Sequence, residues 1–135
     1  MTLNAAFHCG AVRFTVTLSD GVNTARRCDC SLCAMRGAVA ISAPLDGITI
    51  QQGEDNLTLY SFNTHVAQHY FCKTCGIYTH HKRRSNPTEY GVNIACLDGF
   101  DPFLPAVDVL DGLNHPQDGQ AMHRRGVLRF EADAP

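Results

Sequence analysis

A chain of 135 residues, 44% of them hydrophobic and 18% charged, has the length of a single globular domain. It has neither the charge of a disordered tail nor the composition of a coiled coil. A formal net charge of −2 offers no field that would attract a polyanion, so no nucleic-acid partner is expected.

No window nears the roughly 18 apolar residues a membrane span needs, and Met1-Thr2-Leu3-Asn4 lacks the basic-then-apolar pattern of an export signal. The expectation is a soluble, cytoplasmic chain without a membrane partner. In chain order, the alternation of Val12, Phe14, Val16 and Leu18 after Gly10 predicts a strand over Ala11–Leu18 with one apolar face. Ser31 to Arg36 reads as one helical turn, capped by Ser31 and stopped at Gly37. Further strands are expected at Ala38–Ala43, Ile48–Gln52, Leu57–Phe62, Val66–Phe71, Ile77–Lys82, Tyr90–Ala95 and Val127–Phe130, set off by turn clusters such as Gly53-Glu54-Asp55-Asn56. The Pro- and Gly-rich stretch Asp98–Gln120 should be mostly surface loop, with a short strand at Val107–Leu110. About eight short strands with tight turns and almost no helix predict an all-β, mainly antiparallel fold.

Seven cysteines are many for a chain without a secretion signal, and an odd number cannot all pair internally. In a reducing compartment such clustering means metal. They fall as Cys9, then Cys28, Cys30 and Cys33, then Cys72 and Cys75, then Cys96. In a tetrahedral zinc site with Zn–S bonds of about 2.3 Å the sulfurs lie roughly 3.8 Å apart, a distance that a turn with two residues between cysteines meets easily. Cys30/Cys33 and Cys72/Cys75 both qualify, and wiring all four into one structural site is one possible reading. Against it, the pairs stand 38 residues apart, where ribbon sites have about 15–20. Cys28 allows another, because residues i and i+2 of an extended segment project from one face and can bring its sulfur beside those of the following turn. Three protein ligands leave a zinc coordination position open; four close it.

His8-Cys9-Gly10-Ala11-Val12-Arg13-Phe14, Cys28-Asp29-Cys30-Ser31-Leu32-Cys33, Phe71-Cys72-Lys73-Thr74-Cys75-Gly76 and Val92-Asn93-Ile94-Ala95-Cys96-Leu97-Asp98 occur in that order. Together they resemble the glutathione-dependent formaldehyde-activating enzyme and centromere protein V family. The resemblance implies coiled antiparallel sheets with two zinc ions. In the family pattern the triplet matching Cys28, Cys30 and Cys33 holds the catalytic zinc, and Cys9, Cys72 and Cys75 match three ligands of a structural one. The fourth structural position is Phe7 here, which cannot bind zinc, leaving His8, another residue or water to complete it.

The activity so implied is a carbon–sulfur lyase reaction, addition of a small thiol, glutathione in the family's named case, to an aldehyde, formaldehyde, with no redox cofactor. The sequence contains no dinucleotide fingerprint, Gly-x-Ser-x-Gly or phosphate loop. A closed, non-catalytic zinc module for protein interaction is the alternative. Glutathione's carboxylates would suit Arg36 or Lys82-Arg83-Arg84, although exposed loop charge is the commoner role of such residues. His65 and His69 read as ordinary cross-strand polar residues. His80 and His81, consecutive in a strand, should face opposite ways, so at most one can reach a cleft. Cys96 reads as core packing, as do Tyr78 and Tyr90. Gly10 and Gly76, each following a ligand-type cysteine, should permit the turns that aim backbone N–H groups at sulfur.

Overall fold

The computed structural model describes residues 2–116 and 120–135. Its strands are β1 (Thr2–Ala6), β2 (Arg13–Thr17), β3 (Arg26–Cys28), β4 (Ala40–Pro44), β5 (Ile48–Gln52), β6 (Leu57–Tyr60), β7 (Gln68–Cys72), β8 (Tyr78–Lys82), β9 (Glu89–Asn93), β10 (Ala106–Leu110) and β11 (Arg124–Arg129). The one α-helix among the described residues, α1, spans Ser31–Arg36. No helix there is long and apolar enough to cross a membrane.

Strands β1, β2 and β5 form a three-stranded sheet. The other eight form a second sheet in the order β11-β10-β3-β4-β9-β8-β7-β6. All pairings are antiparallel except β10 with β3, so the expected all-β, mainly antiparallel fold is what forms. The alternation predicted after Gly10 does its work here: Val12, Phe14 and Val16 are fully buried and meet Ile41 and Ala43 of β4 and Val92 of β9 in one apolar core between the sheets. Burying such side chains is the main driving force for this packing, about 1.5–3 kcal/mol for each large one.

The sequence reading missed β1 and β3. Thr2–Ala6 has almost no apolar alternation and is a strand because β2 pairs it, Thr2 with Thr17 through Ala6 with Arg13. Arg26–Cys28 is three residues long and puts a buried arginine in the sheet, where its guanidinium donates to Thr24 O at 3.0 Å and Ser42 Oγ at 2.9 Å. The expected strand Tyr90–Ala95 stops at Asn93, and Ile94–Cys96 is instead a 3-10 turn capped by the Asn93 side chain. The expected surface loop from Asp98 carries a strand from Ala106 to Leu110 and runs back toward β3; its 117–119 portion lies outside the described residues.

A bulge in β8 decides what faces the site. The β7–β8 register runs Tyr70↔His80 and then Phe71↔Tyr78, leaving Thr79 as the extra residue. One inserted residue flips the parity of the strand, so Tyr78 and His81 come to one face and His80 to the other.

Candidate metal centres and the cleft between strands and helix

Cys28 ends β3, Cys30 follows in extended conformation, and Cys33 lies in the first turn of α1. Their sulfurs lie within 4.8 Å of one another. The helix cap is Cys30, not Ser31: its sulfur accepts the Cys33 N–H at 3.4 Å, as a serine or aspartate oxygen would at an N-cap. The Cys30 N–H in turn donates to Cys28 Sγ at 3.4 Å. The bonds that start the helix therefore aim the sulfurs, and Gly37, at φ 70°, ends it in the left-handed conformation.

Such close thiols compete for protons. Thiol hydrogen bonds from Cys28 and Cys33 hold the Cys30 pKa well below the ordinary thiol range, while the contacts to Cys30 and Cys33 push that of Cys28 above it. Full ionisation of all three needs a cation among them, which is the condition a thiolate-bound dication meets.

Cys9, Cys72 and Cys75 form a second group with ligand atoms within 4.8 Å of one another. Ala11 N–H donates to Cys9 Sγ at 3.5 Å and Thr74 N–H to Cys72 Sγ at 3.4 Å. Gly10 and Gly76 sit at φ 75° and 76°, the left-handed conformation these turns require. Burial alone would raise the Cys72 pKa, yet the N–H groups of Cys75 and Thr74 bring it down to about 7. Asn56 was missed by sequence reasoning; its side-chain amide donates to Cys72 Sγ and to Thr74 Oγ1, both at 3.0 Å.

The two groups are separate, which rules out the wiring of Cys30, Cys33, Cys72 and Cys75 into one site. Phe7 is buried in the core, and neither His8 nor Cys96 is in either group. Cys96 packs in the core as expected, donates to Tyr78 O at 3.6 Å and has its pKa pushed up to about 12 by burial.

The Cys28/Cys30/Cys33 group lines a cleft of about 390 Å³. Arg26, Arg36, Arg83 and Arg84 also line it, and no Asp or Glu does among the described residues. Arg36 is far from a solvated loop charge. Its guanidinium lies 3.7 Å from the Tyr78 ring centroid, with Nη1 3.0 Å from His69 Nδ1 and Nη2 donating to Cys33 Sγ at 3.5 Å. Arg83 is paired with Glu89 at 3.0 Å and donates to Ser42 and Ser85. Lys82 stays outside the cleft.

Of the histidines, His69, His81 and His115 line the cleft, the first two as a cross-strand pair stacked at 5.0 Å. Burial first and the Arg36 charge second lower the pair, His69 to about 4 and His81 well below the imidazole range, so both are neutral at pH 7. His80 turns away, stacking on Tyr70 at 4.7 Å, and His65 sits in a turn bonded to Ser61. Tyr78 is more than packing: its hydroxyl lies 2.6 Å from His81 Nδ1 and donates to Gly91 O at 3.1 Å. Gly91 is required beneath this pair, because a Cβ there would overlap the His81 ring.

The remaining wall comes from the segment after β10. Asp29 Oδ1 accepts the N–H groups of Gly112 at 2.7 Å and Leu113 at 3.2 Å, and Oδ2 pairs with Arg125 at 2.8 Å. Gly112 so held lies against the sulfurs; a Cβ would overlap Cys28 Sγ and come within 2.8 Å of Cys30 Cβ. The Asp111-Gly112 turn dipeptide was the only sequence signal for this contact.

Comparison with known proteins agrees with this architecture. The crystal structure of a Rhodobacter sphaeroides protein is 56% identical, with a TM-score of 0.72 over 76% of this chain and 92% of that one. The family model described as glutathione-dependent formaldehyde-activating enzyme matches residues 2–110, a span that takes in both cysteine groups. With most of its length matched, the chain belongs to the glutathione-dependent formaldehyde-activating enzyme family.

Proposed function

We propose that this protein is a zinc-dependent carbon–sulfur lyase-type enzyme that joins a small anionic thiol, glutathione above all, to formaldehyde, or releases it from the adduct. Membership of the family supports the reaction class. The observation that carries the reading is a three-cysteine group opening into a cleft whose charged lining side chains are arginines.

In this reading Cys28, Cys30 and Cys33 would hold the catalytic zinc at the cleft, while Cys9, Cys72 and Cys75 would hold a second ion. Bound zinc supplies Lewis acidity and stabilises a thiolate at neutral pH, where a free thiol of pKa about 8.5 is mostly protonated. The residues do the rest. Arg26 and Arg36 keep the cleft cationic, which favours a thiol bearing two carboxylates. Arg36, braced on Tyr78, also fixes the Cys33 sulfur from outside.

Addition forms one carbon–sulfur bond, and the proton lost by the thiol is balanced by one gained at the former carbonyl oxygen. His81, oriented by Tyr78, is the group that would take up and return that proton. With the Tyr78 hydroxyl proton given to Gly91 O, His81 carries its proton on Nδ1 toward Tyr78 and leaves Nε2 as the acceptor. We place the reaction in the reducing cytoplasm, where glutathione is abundant.

The test is zinc content and adduct-formation rate, the latter by exchange NMR on glutathione and formaldehyde, for the native chain and Cys30→Ala. The expected result is loss of about one zinc per chain and of the acceleration above the uncatalysed rate. Unchanged metal and rate would remove the assignment.

A further inference from the structure

We propose that the chain gives its Cys9/Cys72/Cys75 centre only three ligands, and that the fourth position takes a small thiol from solution. The inference rests on reading this group as a metal centre, but not on the catalytic assignment of the other.

His8 is not in the group, and Phe7, two residues before Cys9, carries no ligand atom, is 3% exposed and packs with Val12 and Phe14 in the core. Its backbone is fixed by Phe7 N–H to Val12 O at 3.2 Å and Gly10 N–H to Phe7 O at 3.0 Å, so it cannot turn outward without unmaking the turn that presents Cys9. Among the described residues no fourth His, Cys, Asp or Glu joins the group. The nearby thiol of Cys96 is committed to Tyr78 O. Cys9 itself is exposed, whereas Cys72 is buried, so the uncompleted corner is on the solvent side.

The rest of the site is fully built. Ala11 N–H and Thr74 N–H donate to sulfur, and Asn56 adds a third donor at 3.0 Å from Cys72 Sγ. Asn56 is placed for this by a 3-10 turn at Glu54–Asn56 and by its carbonyl, which accepts Lys73 N–H at 3.0 Å. Donors of this kind orient and stabilise thiolate ligands, and are useful only if the sulfurs are charged. Three sulfurs make a soft site that prefers a thiolate over a carboxylate as the next ligand. Lys73, next to Cys72 in sequence, is exposed and adds positive charge to this turn, so an anionic thiol is favoured over a neutral one.

The experiment replaces zinc with cobalt(II) in the Cys30→Ala chain, which isolates this centre, and adds 2-mercaptoethanol and then glutathione. The visible absorption should shift saturably with each thiol, with glutathione half-saturating at lower concentration. The shift should be absent when Cys9 is also replaced by Ser, which removes a ligand of this centre. Should Cys30→Ala fail to fold, the difference between the native chain and Cys9→Ser gives the same readout. A spectrum indifferent to thiol overturns the proposal. So does a metal-dependent dimer without thiol response, which would mean that a second copy supplies the ligand. Failure to bind cobalt at all would instead overturn the metal-centre reading beneath it.

Discussion

Gly112 shows how narrowly single residues set the metal cleft. A methyl group at this position has nowhere to go except into the Cys28 and Cys30 side chains, so Gly112→Ala should weaken zinc retention by about tenfold or more, the size of a disturbed ligand surround. Metal release to a chelator measures this, and a rate equal to the native one would mean that the loop yields freely. Tyr78→Phe removes one hydroxyl that holds both His81 Nδ1 and Gly91 O. Leaving those groups unpaired in a buried site should cost about 1–3 kcal/mol of stability. If His81, oriented by Tyr78, holds the transferred proton, the rate should also fall by about a hundredfold with zinc content unchanged. Denaturant unfolding and the adduct-forming rate together separate the two effects.

At the scale of elements, the tie between Asp29 and the segment after β10 connects the cysteine loop to β11. Asp29 accepts two backbone N–H groups and the Arg125 guanidinium. Arg125 is largely exposed, so the ion pair itself contributes little, and the backbone bonds carry the anchoring. Asp29→Ala should therefore speed amide hydrogen exchange at Gly112 and Leu113 and raise KM more than it lowers kcat, whereas Arg125→Ala should do neither.

Strands such as β2 and β5 were legible because alternating apolar residues meet a core that rewards them. Cys28, Cys30 and Cys33, and Cys72 with Cys75, were legible because short spacing brings their sulfurs into range; only the family resemblance joined Cys9 to the latter, and the two groups form as it divided them. Other features escaped besides the Asn56 contact to Cys72. β1 and β3 exist through pairing rather than through their own pattern. The Thr79 bulge brought Tyr78 and His81 to one face against strict alternation. Arg36 was weighed as solvent-facing charge, because nothing in a linear sequence shows that Tyr78 and His69 lie above helix α1.

The whole molecule stores a pH dependence in its core. His80 is buried, its Nδ1 has no hydrogen-bond partner, and it packs among Tyr70, Tyr90 and Phe14. Burial lowers its pKa from 6.5 to about 4. The folded state thus binds this proton less readily than the unfolded chain. The stability it contributes is fully present above pH 6.5 and is lost as pH falls through the window to about 4, by up to roughly 3 kcal/mol. The difference in unfolding midpoint between the native chain and His80→Phe should change across that window; a constant difference would mean that His80 is not the group responsible.

The proposed chemistry requires a cleft that receives the sulfur of an anionic thiol beside Cys28, Cys30 and Cys33. Calorimetric titration of the zinc-loaded Cys9→Ser chain, which leaves that cleft as the intact thiolate centre, with glutathione and with its S-methyl derivative tests this most directly. Glutathione should bind at least tenfold more tightly than the S-methyl derivative, and its heat should vary with buffer ionisation enthalpy because the thiol proton is released. Equal affinity for both, with no proton release, would contradict it.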